Sequence, residues 1–318
     1  MKQITGLHHV TAFASDPQKN MDFYAGILGL RMVKKTINFD APDVYHFYYG
    51  NEAGDPGTIL TFFPYPGIAA GRKGKGQLTT TSFSIPEHSL DYWKKRLDRF
   101  GIAYQQPQPR FDNEMFIAFE DNDGMAIELV ANKTDTRKGF SYGQIPEEHA
   151  LKGFYGVTLS EDKYDYTANL LLHQMDHRLI QEKGNRIRFS ASGSSGDFVD
   201  ILLTPESVRG LGGAGTVHHV AFATPDDNSQ LAFREQLMSK GLVQATPVLD
   251  RQYFHSIYFR EPGGVLFEVA TSDIGFAIDE MPEHLGEALK LPPWEEPNRA
   301  TIEQGLLPVH FNADQFRD

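Results

Sequence analysis

Two twelve-residue segments of this chain match in residue type along their whole length. Phe119-Glu-Asp-Asn-Asp-Gly124-Met-Ala-Ile-Glu128-Leu-Val130 and Phe259-Arg-Glu-Pro-Gly-Gly264-Val-Leu-Phe-Glu268-Val-Ala270 each read as a strand end, a glycine turn and an apolar strand carrying one glutamate. Ahead of each comes a strand, an amphipathic helix and another strand. The unit is therefore β-α-β-β-β, and 318 residues have room for four of them. A chain built this way belongs to the α+β class.

The modules are expected at residues 1–65, 78–131, 152–205 and 216–270, with 271–318 as a tail rich in proline around Leu291-Pro-Pro-Trp-Glu-Glu-Pro297. Asp16-Pro17 opens the first helix, which carries Phe23, Ile27 and Leu30 at helical spacing, and Leu90, Trp93 and Leu97 mark the second. The connections are Pro66 to Gln77, the polar stretch Asn132 to Leu151, and the glycine-rich Arg209 to Gly215. The one basic loop, Gly71-Arg-Lys-Gly-Lys-Gly76, has the lysines and glycine amides to grip an anion or serve as a lid. A short loop of this kind between strands is more often solvated and mobile.

Composition removes several function classes. The chain has no cysteine, which excludes disulfides, thiolate metal sites, cysteine-ligated iron-sulfur clusters and a cysteine nucleophile. A metal would have to be held by nitrogen and oxygen. The formal charge of −12 argues against nucleic acid, which needs a basic footprint. No apolar stretch approaches the roughly 20 residues that span a bilayer, and the start lacks an apolar segment of signal-peptide length, so a cytoplasmic location is expected.

The chemistry enters with histidine. His8-His9 in Gly-Leu-His-His-Val and His218-His219 in Thr-Val-His-His-Val are near-identical settings, and Glu268 follows the second pair inside an apolar run. Two imidazoles and one carboxylate are the minimum set for an open iron(II) site of the kind that uses O2. A strand glutamate can face solvent, but Val265, Leu266, Phe267, Val269 and Ala270 surround Glu268, and a charge in such company is rarely buried without a partner or a metal. Glu128 has a similar run but no histidines, and reads as a salt-bridged or hydrogen-bonded vestige of duplication. His173-Gln-Met-Asp-His177 lacks the glutamate of the His-Glu-x-x-His motif and reads as a solvated helix face. The aromatic run Tyr45-His46-Phe-Tyr-Tyr49 either lines a core or walls an aromatic pocket.

The four modules, Phe23-Tyr-Ala-Gly-Ile-Leu-Gly-Leu30 and the His/Glu strand positions resemble the vicinal oxygen chelate superfamily, which includes glyoxalase I, extradiol dioxygenases and antibiotic-resistance proteins. Leu7-His-His-Val-Thr11, Arg251-Gln-Tyr-Phe254, Tyr258 and Pro262-Gly-Gly-Val-Leu-Phe-Glu268 resemble its hydroquinone ring-cleaving dioxygenases, including the bacterial quinone-resistance group. The resemblance implies cup-shaped mixed sheets, each made from two modules, with ligands on the first and last strand of a module. Pairing modules one with four unites His9, His219 and Glu268, whereas pairing one with two, or three with four, leaves each cup a ligand short. Modules one and four are therefore expected to form the metal cup, and two and three the second.

Strand alternation allows only one histidine of each pair to face a metal. The resemblance puts the ligands at His9 and His219 and leaves His8, His218 and Thr11 for hydrogen bonding around them. It further implies iron(II), with manganese(II) or another divalent ion as the alternative, and a small aromatic diol and O2 as reactants in quinone or aromatic detoxification. Tyr258 would orient substrate or oxygen, and Arg251 would hold an anionic oxygen. A catechol-cleaving enzyme, a glyoxalase-type isomerase and a non-catalytic aromatic binder are the rivals. The isomerase favours a second carboxylate, which Thr58-Ile-Leu-Thr-Phe-Phe63 does not offer. A homo-oligomer is compatible with all of them.

Overall fold

The structure, a computed structural model, describes residues 2–111, 114–140, 143–194, 196–241 and 243–318. Ser141 and Tyr142 of the expected middle connection lie outside them. The chain repeats one order of elements four times. The first round is β1 (Gly6–Ala14), α1 (Pro17–Met21), β2 (Arg31–Asn38), β3 (Ala41–Gly50) and β4 (Ile59–Pro64). The second is β5 (Gln77–Pro86), α2 (Leu90–Arg99), β6 (Tyr104–Arg110), β7 (Glu114–Glu120) and β8 (Ala126–Asn132). The third is β9 (Phe154–Glu161), α3 (Asp165–Gln174), β10 (Arg178–Lys183), β11 (Arg186–Ser190) and β12 (Phe198–Leu203). The fourth is β13 (Val217–Thr224), α4 (Asp227–Ser239), β14 (Leu249–Asp250), β15 (His255–Arg260) and β16 (Leu266–Thr271).

Two eight-stranded mixed sheets result, in the orders β14-β15-β16-β13-β1-β4-β3-β2 and β10-β11-β12-β9-β5-β8-β7-β6. In every round the first and last strands run parallel, and two rounds join antiparallel through their first strands, β1 with β13 and β5 with β9. The fold is the α+β arrangement expected from the repeat, in the two curled sheets that the resemblance implies.

Local chemistry explains the elements. Asp16 caps α1 by accepting from the Lys19 amide, Pro17 sits in the first turn, and the helix then loosens into a π turn over Asp22–Ile27. The matched hairpins turn at Gly124 (φ 88°) and Gly264 (φ 106°), a left-handed conformation that favours glycine. Each turn is tied by its own acid: Asp121 accepts from the amides of Asp123 and Met125, and Glu261 from those of Gly263 and Val265. Each acid also meets a hydroxyl from the preceding module, Tyr24 on Asp121 at 2.8 Å and Thr167 on Glu261 at 2.6 Å.

Three expectations are corrected. The basic loop is pinned: it bonds to the other glycine-rich connection at Gly71–Ala214, Arg72–Leu211 and Lys75–Val208, and its lysines reach Gly124, Glu120 and Asp162. Lys73 and Lys75 are matched by acids of the chain itself, and Arg72 Nη2 donates to the Arg209 carbonyl at 3.2 Å, so the loop is held rather than solvated and mobile. The histidines of the 173–177 stretch do not share a helix face, because α3 ends at Gln174; Asp176 has a φ of 57°, and His177 is buried, its Nδ1 on the Met175 carbonyl and its ring edge-on to Phe222. The segment after β16 is a strap rather than a loose tail. Phe276 packs on Tyr48 and Tyr253, Lys34 pairs with Asp279 and Glu280, and the end of the strap seats Phe316 against Gly26 and brings Asp318 to Arg96 and Arg99. A Cβ on Gly26 would stand 2.7 Å from the Phe316 ring, so that close approach requires glycine.

Candidate metal centre

The first sheet brings three donors together through its register. His9 on β1 lies opposite Ala221 on β13, and Ala221 lies opposite Glu268 on β16. His219 is two residues before Ala221 and so shares its face. The methyl group of Ala221 leaves the space into which the three longer side chains converge. His219 Nε2 is 2.7 Å and His9 Nε2 is 3.2 Å from Glu268 Oε2, and the two nitrogens are 3.3 Å apart. All three residues are buried, Glu268 with 0% exposure. Its Oε1 accepts from Ser256, while Oε2 has no hydrogen-bond partner among the described residues.

A carboxylate oxygen sealed from water and left without a hydrogen bond is costly, and a cation relieves that cost. Metal–ligand bonds of about 2.1 Å place neighbouring octahedral donors about 3.0 Å apart, close to the separations here. Two imidazoles and one carboxylate on one side of an ion also leave its other positions open. The residues therefore fit a divalent metal, and among the described residues this is the one gathering of three or more such donors.

The paired histidines depart from simple alternation. Leu7 pairs with Phe222 and His9 with Ala221, so His8 is an extra residue in β1; Thr11 pairs with His219 and Ala12 with Val217, so His218 is an extra residue in β13. Both are β-bulges, which re-aim side chains. The expectation that the pairs split across the sheet is corrected accordingly. His8 Nδ1 lies 2.9 Å from His9 Nδ1, and His218 Nδ1 lies 2.7 Å from His219 Nδ1. Burial pushes both His8 and His218 down to about 3, with the neighbouring imidazole adding to the effect, so both are neutral at neutral pH. Each can then accept a proton from Nδ1 of its neighbour, which leaves Nε2 of His9 and His219 with the lone pairs that a metal requires.

Above the donors lies a cavity of about 350 Å³ with mostly aromatic walls, including Phe13, Tyr48, Phe63, Phe254 and Tyr258. Thr11, His218, Arg251 and Tyr258 line it as well; His8 does not, and stands behind His9 and Phe254. The run Tyr45–Tyr49 turns out to do both things open to it. Tyr45, Phe47 and Tyr49 enter the main core, while the alternate residues His46 and Tyr48 face the cavity. Sequence reasoning left His46 without a role, although one polar residue among four aromatics was the available signal. Its Nε2 lies 2.8 Å from Thr61 Oγ1, which donates to Thr11 Oγ1 at 2.8 Å. Burial first, then His9 and His219, hold His46 well below its ordinary value. Arg251 Nε donates to the Tyr258 hydroxyl at 3.2 Å, and burial keeps that phenol protonated by pushing it up.

Among the described residues the second sheet carries no such site. Glu128, the counterpart of Glu268, accepts from Arg110 and Ser82 at 2.6 Å each, and Asp200 and Glu114 are paired with Arg188. It is salt-bridged, in keeping with its lack of histidine neighbours.

Comparison with known proteins agrees with this geometry. The chain matches the family described as the Glyoxalase/Bleomycin resistance protein/Dioxygenase superfamily over residues 6–129 and 154–269. It is 45% identical to MhqO of Bacillus subtilis, assigned as a ring-cleaving dioxygenase, over 96% of this chain and 97% of that one. It is 32% identical to the chlorohydroquinone/hydroquinone 1,2-dioxygenase of Sphingobium indicum, covering 92% of each. A crystal structure of a protein assigned as a dioxygenase from Bacillus subtilis superposes with a TM-score of 0.93 at 44% identity, covering 98% of this chain and 99% of that one. The family match over both halves of the chain, with these identities and coverages, shows that the chain belongs to the glyoxalase/bleomycin resistance protein/dioxygenase superfamily.

Proposed function

We propose that the protein is a non-haem iron(II) dioxygenase that cleaves the ring of a hydroquinone-type aromatic diol. The observation that carries this reading is the convergence of His9, His219 and Glu268 within 3.3 Å of one another at the floor of an aromatic-walled cavity. Bound there, iron(II) supplies the positive charge that holds the diol as a phenolate and the redox path between the diol and O2. A cavity of about 350 Å³ suits one substituted ring.

The chain's own groups have separable tasks. Thr61 gives its proton to Thr11, so it accepts from His46 Nε2–H, and His46 Nδ1 is then unprotonated. We assign His46, held neutral, as a hydrogen-bond acceptor that orients the diol's hydroxyl. Tyr258 receives the Arg251 N–H and keeps its own O–H, which would be free to donate to O2 or to the substrate. His8 and His218 fix the tautomer and ring plane of the metal ligands. The aromatic walls exclude water and align the ring. A glyoxalase-type isomerase fits less well, because β4 brings Thr61 rather than a second carboxylate to the site.

The test is O2 uptake by anaerobically iron-loaded protein, offered hydroquinones, catechols and the glutathione adduct of methylglyoxal. The expected result is one O2 consumed per hydroquinone. Isomerisation of the adduct without O2 uptake would overturn the reading.

A further inference from the structure

The curl of the first sheet brings its two edges, β14 and β2, to the same cavity mouth, where one ion pair spans them. Asp40, in the turn between β2 and β3, places Oδ2 3.2 Å from Nη2 of Arg251, which directly follows β14. Among the described residues that line the cavity, Arg251 is the one Lys or Arg and Asp40 the one Asp or Glu. Every other lining side chain is aromatic, aliphatic, a neutral hydroxyl or amide, or a histidine. Arg251 is 19% exposed and fixed on its inner side by Tyr258; Asp40 is 75% exposed and reaches in from solvent.

The charges of the reactants make this pairing consequential. This step rests on the ring-cleaving reading. The diol is uncharged as it enters. Cleavage uses one O2 and breaks the bond between a hydroxyl-bearing carbon and its C–H neighbour. The first carbon ends as a carboxylic acid and the second as an aldehyde, one oxygen atom going to each, and the acid then loses a proton to solvent. No further oxidant or reductant is needed. An uncharged reactant thus becomes an anion inside a cavity whose single guanidinium is the natural place for a carboxylate to be caught.

We propose that Asp40 is the charge filter of the cavity: by occupying Arg251 it disfavours rings that already bear a carboxylate and competes the ring-opened anion off that guanidinium. Asp40 acts through Arg251 and is a positioning residue. The pair is exposed on one side, so the effect is modest and salt-dependent, about three- to fivefold at low ionic strength.

The experiment compares wild type with Asp40→Asn as full-length, metal-loaded protein under anaerobic conditions. Calorimetry with hydroquinone and with 2,5-dihydroxybenzoate, a hydroquinone bearing a carboxylate, gives the ratio of the two affinities. The fold should be unaffected, because the turn uses only the Asp40 backbone amide, donated to Asn38 Oδ1. The expected result is about three- to fivefold tighter binding of 2,5-dihydroxybenzoate with hydroquinone unchanged, and stronger product inhibition in aerobic progress curves. The same substitution in an Arg251→Gln background should leave the ratio where Arg251→Gln alone puts it. An unchanged ratio in Asp40→Asn, or an equal rise when Arg251 is already Gln, overturns the proposal. The affinity ratio needs no turnover, so absence of O2 uptake with every diol would end the ring-cleaving reading while the ratio still decided the role of Asp40.

Discussion

His8 and His9 are joined Nδ1 to Nδ1 across 2.9 Å, and His218 and His219 repeat the contact at 2.7 Å on the neighbouring strand. An imidazole is thus the proton acceptor behind each metal-facing imidazole. Replacing His8 or His218 with Ala should leave the strands intact and lower metal affinity about ten- to a hundredfold. Competition against a chelator of known affinity measures this, and wild-type affinity in both variants would reduce the contacts to packing.

Removing a donor itself should have a larger effect. His9→Ala, His219→Ala and Glu268→Gln should each lose tight metal binding while far-UV circular dichroism stays unchanged, because β1, β13 and β16 keep their apolar neighbours. Metal analysis after gel filtration reads the outcome. Full occupancy in His9→Ala would remove β1 from the site.

Tyr258→Phe keeps the metal donors and loses one directed hydroxyl. It should retain iron while kcat and kcat/KM fall together, by about a hundredfold. A rise in KM alone, with kcat unchanged, would instead mark Tyr258 as a substrate-binding contact.

Far from the metal, Glu161 of β9 and Glu261 of the β15–β16 turn join the two sheets through Thr167, whose Oγ1 lies 2.8 Å from one carboxyl and 2.6 Å from the other. A hydroxyl has one proton, so one of these contacts must be donated by a carboxylic acid. Glu261 accepts two backbone amides, which leaves Glu161, with an unpartnered buried Oε1, as the protonated member. Burial first, then Glu261, pushes Glu161 up from its ordinary 4.5 to about 8. The folded state therefore holds a proton that the unfolded chain has released. Stability from this group is complete below about 4.5, falls as pH rises and levels off beyond about 8. Glu161→Gln, whose amide can donate to Thr167, should flatten that decline and exceed wild type in stability at pH 8. Denaturant melts at pH 5, 6.5 and 8 measure it, and parallel curves for the two proteins would reject the shared proton.

The donors were legible because a repeated histidine in a strand and a glutamate in an apolar run are local signals, as was the hairpin that recurs at Gly124 and Gly264. The bulges at His8 and His218 were not, because they are properties of the β1–β13 pairing and alternation within one strand cannot reveal them. The same limit applies to Asp40 with Arg251 and Glu161 with Glu261, pairs formed by residues distant in sequence. His177 was misplaced because a helical spacing was extended past the point where α3 stops. The strap was read as a tail because its anchors, Phe276, Phe316 and Asp318, lack a periodic pattern and find their partners only in the folded molecule.

The union of β1 with β13 and β16 has a consequence for the protein's birth. His219 follows His9 by 210 residues and Glu268 follows His9 by 259, so a growing chain carries one donor of the three while the stretch between the histidines is made. Metal capture must follow translation of the fourth module, and a chain that stalls earlier carries no assembled centre at which O2 could be activated without its proper substrate.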